Sequence, residues 1–204
     1  MTGATHDGLS AGARRNAMTL PTTSSQTVGP YLHIGLTWLN TANLVAPGMT
    51  APPITVAGRI VDGDGAPVTD ALVEIWQADA QGRYAHPDDT RGLPPTPGFA
   101  GFGRVPTDAE GRFAFTTIKP GRVPAPGGGL QAPHLNVTIL MRGMLRHLRS
   151  RIYFADEACN AEDPVLRAVP AARRATLVAA MPGAHAYTWN VVLQGEGETV
   201  FFEQ

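Results

Sequence analysis

Glycine and proline residues interrupt this chain at short intervals, and that spacing limits what it can fold into. The sequence holds 23 glycines and 18 prolines among its 204 residues, spread along the whole length. Glycine weakens a helix interior because it loses more backbone entropy on folding, and proline lacks the N–H that a helix needs. Long helices are therefore not expected, and short elements joined by turns must bury the apolar residues.

Short runs rich in β-branched and aromatic residues lie between these breaks, and such runs predict strands. The first, residues 54–61, precedes Asp-Gly-Asp-Gly-Ala-Pro at 62–67, turn chemistry expected between antiparallel strands. The other predicted strands are residues 71–76, 112–115, 135–141, 151–154, 188–193 and 199–202. A short helix is predicted within 164–180. The pattern predicts an all-β fold, a β-sandwich of mostly antiparallel strands with long loops and one short helix near the C-terminus.

Composition and charge narrow the class of protein. Hydrophobic residues make up 43% of the chain and charged residues 16%, which suits one folded domain with a large core. The 16 basic and 17 acidic residues provide no field that would attract nucleic acid. No apolar run approaches the ~20 residues of a membrane helix, so neither nucleic acid nor membrane is an expected partner. The lone Cys159 suits a reducing, cytoplasmic compartment.

The first residues differ from the rest of the chain. Residues 1–19 are small and polar without periodicity, and they are predicted to be a disordered tail. The domain is therefore predicted to span residues 20–204.

His134 is the histidine with the most informative neighbours. A strand would direct His134 and Asn136 to the same face, roughly 6–7 Å apart. Two histidines at such positions could hold one metal ion, whereas an amide oxygen is a weak ligand for a transition metal. A buried His134 bonded to backbone or water is the favoured interpretation. Tyr84 and His86 are interpreted as loop residues without a catalytic role.

Nine short segments follow one another along the chain: QTVGPY at 26–31, GRIVD at 58–62, VEIWQAD at 73–79, GRY at 82–84, FGR at 102–104, TIKPG at 117–121, APH at 132–134, RIYF at 151–154 and QGEGETVFF at 194–202. Together they resemble the intradiol ring-cleaving dioxygenases, over about residues 20–204. A single segment such as Lys-Pro-Gly is weak support, but nine in one order are specific. The resemblance is to the α-type chain of a two-chain member of the family.

The resemblance implies that a related β-type partner chain binds Fe(III) through two tyrosines and two histidines, and that this chain does not. The first tyrosine position matches Tyr84 and the first histidine position matches His134. The second tyrosine position holds Val123, and the second histidine position holds Asn136. Phenolates are hard anionic donors that favour Fe(III), so the exchange for valine removes a ligand and a proton acceptor together. No metal ligand and no catalytic residue is therefore assigned to this chain.

The same resemblance implies that this chain lines the partner's cavity for protocatechuate, a catechol with a carboxylate, which the enzyme cleaves with dioxygen. The expected wall is formed by Thr27, Gly29, Pro30 and Tyr31, because glycine allows close approach and proline fixes the backbone. A plain turn is the alternative for this segment. Arg142 is expected near the cavity mouth, where its guanidinium would complement the carboxylate.

Other interpretations remain open at this point. The basic cluster Arg142, Arg146, His147, Arg149 and Arg151 is most simply a solvated or interface edge. A non-catalytic β-sandwich binding module is possible, and exposed aromatic side chains along one sheet face would favour it. A stand-alone enzyme is also possible if Tyr84, His134, His86 and a carboxylate assembled a different metal site.

Overall fold

The computed structural model describes residues 29, 31–92, 94 and 96–203, apart from the side chains of Tyr31 and His33. The predicted disordered tail at 1–19 and the predicted wall residues Thr27 and Pro30 lie outside the described residues.

Short strands make up most of the regular structure, as the spacing of glycine and proline predicts. The strands are β1 (Pro53–Val61), β2 (Leu72–Trp76), β3 (Phe102–Pro106), β4 (Arg112–Ile118), β5 (Val123–Pro124), β6 (Leu130–Gln131), β7 (His134–Leu140), β8 (Leu148–Phe154), β9 (Val178–Gly183), β10 (Ala186–Thr188) and β11 (Val191–Val192). The helical segments are α1 (Tyr31–Gly35), α2 (Pro164–Ala168) and 3-10 turns at Thr37–Leu39, Ala158–Glu162 and Ala171–Leu177. None of the described helices has the length and apolar character needed to cross a lipid bilayer.

The described strands form one large sheet and one small hairpin. The order in the sheet is β11-β1-β10-β9-β8-β7-β2-β3, with β4 paired to β1 outside this path, and β5 pairs with β6. Only the pairs β1 with β10, β1 with β11 and β8 with β9 are parallel among the described strand pairs. Residues from both ends of the sheet share one hydrophobic core, including Val56 of β1, Ile75 of β2 and Phe115 of β4. The prediction of an all-β sandwich of mostly antiparallel strands is confirmed.

Strand β7 separates the core from a second, outer face. Leu135, Val137 and Ile139 are buried in the central core, while His134 and Asn136 alternate with them and point to the other side of the sheet. On that outer side a smaller apolar cluster forms under the C-terminal segment, with members Ala132, Tyr153, Leu166, Val169, Leu177 and Val200. The sheet therefore has a buried inner face and an outer face that is partly covered.

Of two sequence predictions about the C-terminal part, one is confirmed and one is wrong. The short helix predicted within 164–180 is α2, which ends before Pro170 because that residue has no N–H to continue it; a 3-10 turn and β9, which pairs with β8, follow. The strand predicted at 199–202 is not formed. Val200 is buried in the outer cluster, and its carbonyl accepts a hydrogen bond from the Ser150 hydroxyl at 2.8 Å, so burial rather than ladder pairing explains the apolar character.

The turn at 62–67 exists, but the strands on either side of it do not pair with each other. The Asp62 carboxylate accepts hydrogen bonds from the N–H groups of Asp64 at 3.0 Å and Ala66 at 2.9 Å. β1 instead pairs with β4, β10 and β11, while β2 pairs with β3 and β7. Antiparallel pairing across the turn is limited to a bridge between Val61 and Pro67, after which the chain continues to β2 at the other end of the sheet.

Candidate functional site

Two tight loops set the positions of Tyr84 and Val123. After β2, the Asp79 carboxylate accepts hydrogen bonds from two backbone N–H groups of its own turn, at 2.9 and 3.0 Å. Gly82 in this turn has a φ of +78°, and a Cβ there would lie 1.9 Å from the carbonyl oxygen of Arg122. Only glycine permits that approach. The loop with Tyr84 is therefore packed backbone to backbone against the loop that leads to Val123.

The outer face of β2, β7 and β8 supplies a floor between these loops. The strand register places Asn136 opposite Trp76 on one side and opposite Arg151 on the other. His134 follows on the same face and is 3% exposed, with Nδ1 2.8 Å from the carbonyl oxygen of Ala132. His134 is thus buried and bonded to backbone, as the favoured interpretation of the sequence expects.

A cavity of about 670 Å³ opens over this floor. Tyr84, Val123 and His134 line it, and these are three of the four positions that the resemblance relates to iron ligands. The fourth, Asn136, donates from Nδ2 to the Tyr84 hydroxyl at 3.4 Å. Sequence reasoning therefore identified four residues that the fold brings together, although 52 residues separate Tyr84 from Asn136 along the chain.

Aromatic rings form one side of the cavity. The rings of Trp76 and Tyr84 are stacked, with centroids 5.7 Å apart and planes inclined by 16°. His86 meets Trp76 edge-on at the cavity rim, and its side chain is 53% exposed. Burial raises the pKa of the Tyr84 hydroxyl, and the hydrogen bond from Asn136 only partly offsets that effect. Tyr84 therefore stays a neutral phenol near neutral pH.

His134 also stays neutral near neutral pH. Burial lowers the pKa of its imidazole to about 4, and the positive charge of Arg151 acts in the same direction. Because Nδ1 is bonded to the Ala132 carbonyl, the proton of the neutral ring belongs on Nδ1. The Nε2 lone pair is then the polar group that His134 offers to the cavity.

Asp89 holds the loop that carries Tyr84 and His86. Its carboxylate accepts from Arg83 Nη1 at 3.1 Å, from Arg91 Nε at 2.7 Å and from the Tyr84 N–H at 2.8 Å. The hydrogen bonds from Arg91 hold the pKa of the Asp89 carboxyl well below its usual range, against the opposing effect of burial. The charge of Arg91 at the cavity wall is therefore paired with Asp89.

The four positions do not fit a ferric ion. Val123 has no donor atom, and the Asn136 amide presents its N–H groups to the Trp76 carbonyl and the Tyr84 hydroxyl. Among the described residues, no three His, Cys, Asp or Glu side chains are grouped so that they could hold a metal ion. The alternative of a stand-alone metal enzyme built on Tyr84, His134 and His86 gains no support from this arrangement.

Gly29 and Arg142, two of the residues expected at the partner's cavity, are exposed on the surface of this chain. Gly29 is exposed, and no atom of the described residues lies within 4 Å of where its Cβ would be. Tyr31 is the first residue of α1. Arg142 lies between β7 and β8 with its side chain 77% exposed, and its Nε donates to the Asp70 carboxylate. Neither Gly29 nor Arg142 is among the described residues that line the cavity of this chain, and contact of the expected residues with a partner chain stays a prediction.

Sequence reasoning misplaced Arg151, which it assigned to a solvated or interface edge. The half-buried side chain lines the cavity, and Nη1 donates to Gln131 Oε1 at 2.7 Å and to the Tyr153 hydroxyl at 3.4 Å. The Tyr153 hydroxyl in turn donates to the buried Asp163 at 3.0 Å. The alternation of residues in β8 could have indicated this position, because Arg151 and Tyr153 share one strand face while Ile152 is in the core.

Comparison with known proteins identifies the family. The "Dioxygenase" family profile matches residues 40–195. The chain belongs to the intradiol dioxygenase family. It is 46% identical over 202 residues to the protocatechuate 3,4-dioxygenase alpha chain of Burkholderia cepacia, an alignment that covers 91% of this chain and 98% of that one. It is 37% identical over 155 residues to the protocatechuate 3,4-dioxygenase beta chain of the same organism, covering 72% of this chain and 66% of that one.

The solved structure of another dioxygenase domain has a similar fold. The dioxygenase domain of a dioxygenase carbohydrate-binding protein fusion from Streptomyces sp. SirexAA-E superposes with a TM-score of 0.59 at 27% identity. The match covers 79% of this chain and 89% of that one. Within this family fold, the chain retains a tyrosine and a histidine in its cavity and carries Val123 and Asn136 beside them.

Proposed function

We propose that this chain is the alpha subunit of a protocatechuate 3,4-dioxygenase. The enzyme joins protocatechuate to dioxygen and opens the ring between the two hydroxylated carbons to give 3-carboxy-cis,cis-muconate, with both oxygen atoms retained in the product. The observation that carries the proposal is the 46% identity to an alpha chain over nearly the whole of both chains. The lower similarity to a beta chain supports a partner built on the same fold.

The iron in this proposal belongs to the partner beta subunit. The support is chemical, because Val123 and Asn136 cannot replace a phenolate and an imidazole, and Tyr84 is kept neutral by its burial. The role of this chain is then to shape and stabilise the iron-bearing subunit. Oxidation of the catechol ring takes place where the iron is held.

Gly29 and Arg142 are the described residues proposed to act across the interface, together with Thr27, Pro30 and Tyr31. Beyond its chain neighbours, none of the described residues comes within 4 Å of the Gly29 Cβ position, and the exposed Arg142 guanidinium is paired only with Asp70 within the same part of the chain. A glycine without a side chain would let the flat substrate ring approach the backbone closely, and the arginine guanidinium would bind the substrate carboxylate. Arg146 is exposed near Arg142 in the same connection and provides a control.

The experiment compares this chain expressed alone with the same chain co-expressed with a protocatechuate 3,4-dioxygenase beta chain. We expect the purified single chain to contain no stoichiometric iron and to consume no oxygen with protocatechuate. The co-expressed pair should elute as one species, contain iron and consume one dioxygen per protocatechuate. About one iron per chain and a tyrosinate-to-iron absorption band in the single chain would contradict the proposal.

A cytoplasmic location and a dispensable segment at 1–19 complete the proposal. The lone Cys159 supports a reducing compartment. A chain that starts at Met18 should assemble and turn over substrate as the full chain does, because residues 1–19 are small and polar without periodicity and the resembling segments begin only at residue 26. Failure of that shortened chain to assemble would show that the segment is structural.

A further inference from the structure

We propose that the cavity of this chain is a second, metal-free site that binds a hydroxylated aromatic carboxylate. The cavity of about 670 Å³ lies wholly within this chain and is of a size usual for small-molecule sites. The inference goes beyond the proposed function, which assigns this chain a role only at its partner's site.

The shape and lining of the cavity favour a flat ring. The stacked Trp76 and Tyr84 rings present an extended aromatic surface, and Val123 and Pro124 add apolar surface to the lining. A planar ring gains contact with such surfaces at little entropic cost, because it has few rotatable bonds to restrict. A flexible aliphatic chain of the same carbon count would lose more entropy on binding.

Arg151 supplies the positive charge that an aromatic acid requires. Its Nη1 is held by Gln131 Oε1 and the Tyr153 hydroxyl, and these are neutral acceptors. No carboxylate within the described residues forms an ion pair with Arg151, whereas Arg91 on the same cavity wall is paired with Asp89. The remaining guanidinium N–H groups of Arg151 are therefore available for a carboxylate, the anion that this group binds best.

His134 supplies an acceptor for a hydroxyl group. Its Nδ1 is committed to the Ala132 carbonyl, and no hydrogen bond to Nε2 is formed within the described residues. A neutral imidazole with its proton on Nδ1 accepts at Nε2, and a phenolic hydroxyl is a suitable donor. The Tyr84 hydroxyl, which already accepts from Asn136, can donate a further hydrogen bond. A carboxylate on Arg151 and a hydroxyl on His134 together define a hydroxybenzoate-type ligand.

The cavity binds such a ligand without changing it. Val123 has no donor atom and the Asn136 amide is committed to Trp76 and Tyr84, so these two positions supply no ligand for a metal that would activate dioxygen. The site is therefore one of binding, with occupancy set by the concentration of the aromatic acid.

The test is isothermal titration of the co-expressed two-chain assembly with 4-hydroxybenzoate, which is not a catechol and is not cleaved. We expect a class of sites that is specific to this chain. Arg151→Gln should weaken that class about tenfold or more, while Arg149→Gln, an exposed arginine on the same strand, should not change it. The partner's site is followed separately through the iron absorption band. An equal response to the two substitutions would overturn the proposal.

A ligand series on the unaltered assembly keeps the proposal testable if the Arg151 variant does not assemble. The neutral 4-hydroxybenzamide and the hydroxyl-free benzoate should each bind this class at least about tenfold more weakly than 4-hydroxybenzoate. The ring-opened dicarboxylate cis,cis-muconate should bind more weakly as well. Equal binding of the amide, or tighter binding of the muconate, would contradict an aromatic acid site. An assembly that binds 4-hydroxybenzoate in this way but does not cleave protocatechuate would refute the proposed function alone.

Discussion

The Asp89 carboxylate lines the cavity and anchors the loop that carries Tyr84 and His86. It bonds two arginine side chains and the Tyr84 N–H, and its own side chain is only 7% exposed. The loop that carries Tyr84 and His86 has no regular secondary structure. Hydrogen bonds to the Asp89 carboxylate therefore hold its conformation in place of backbone pairing. Its neighbour Asp88 is 92% exposed and makes no comparable set of bonds.

We expect Asp89 to make the stability of the protein depend on acid pH. Because its folded-state pKa is lower than the ordinary value of 3.8, the unfolded chain takes up a proton first as the pH falls, and stability is lost below about pH 4. Asp89→Asn should lower the unfolding free energy at pH 6 by about 1–3 kcal/mol and reduce its decline between pH 6 and pH 3. Urea unfolding at both pH values measures this.

Asp88→Asn is the matched control for that measurement. It removes the same charge one residue away, at an exposed position, and should change the unfolding free energy by less than about 0.5 kcal/mol at either pH. Identical curves for the two variants would show that the Asp89 bonds do not stabilise the loop.

Two substitutions should be enough to create a metal site in this chain. Val123 and Asn136 lie beside Tyr84 and His134 in one cavity, so Val123→Tyr with Asn136→His would provide two phenols and two imidazoles there. We expect the double variant to take up ferric iron and to develop a tyrosinate-to-iron absorption band. Each single variant should bind iron much more weakly. A colourless, iron-free double variant that is correctly folded would show that the backbone no longer fits the metal.

At the level of elements, the sequence predicts strands well and their pairing poorly. Residues 54–61, 71–76 and 135–141 agree with β1, β2 and β7 within one residue at each end, because alternation and β-branched residues are local signals. Strand β3 was missed, since Gly103 and Pro106 weaken its pattern. The pairing of β1 with β10 and β11 depends on contacts more than a hundred residues apart, which no local pattern encodes.

The candidate site shows the same division. Tyr84, Val123, His134 and Asn136 were found through ordered motifs, whereas Arg151 was misplaced. From sequence alone, a charged residue in a strand is predicted to be exposed, because nothing local indicates whether the outer face of that strand is covered. In this chain the C-terminal cluster around Tyr153 covers part of that face, and the cluster forms only in the folded protein.

Gly58 tests whether the centre of β1 requires close backbone contact. A Cβ at this position would lie 1.8 Å from the Trp189 carbonyl oxygen and 2.8 Å from Phe113 Cζ, and the first of these atoms belongs to backbone that cannot rotate away. We expect Gly58→Ala to lower the unfolding free energy by more than about 2 kcal/mol in urea unfolding.

Gly183 in β9 is the control for Gly58, because no atom of the residues that the structure describes, apart from its chain neighbours, lies within 4 Å of its Cβ position. Gly183→Ala should change the unfolding free energy by less than about 1 kcal/mol. A mild effect at Gly58 would mean that β1 and the segment between β10 and β11 separate easily.

At the level of the whole molecule, the chain has two surfaces with different chemistry. The cavity over β2, β7 and β8 is lined by residues of this chain, while Gly29 and Arg142 are exposed and Arg142 is paired with Asp70. A substitution at either exposed position should leave the fold of this chain intact. Its effect on catalysis would then report contact with the partner subunit, which makes these residues informative about the assembly.

We predict that Arg142→Ala in the two-chain enzyme selectively weakens the use of protocatechuate. Loss of a charge-assisted hydrogen bond to the substrate carboxylate should raise the KM for protocatechuate about tenfold, and the KM for plain catechol should change little because catechol has no carboxylate. Arg146→Ala, at an exposed arginine of the same connection, should change neither value. Gly29→Val should instead impair both substrates, because it adds volume without removing charge. Steady-state kinetics with the two catechols measure these effects. Equal small effects of Arg142→Ala on both substrates would place the guanidinium outside the partner's cavity. Unchanged kinetics for Gly29→Val would show that its loop does not form the cavity wall.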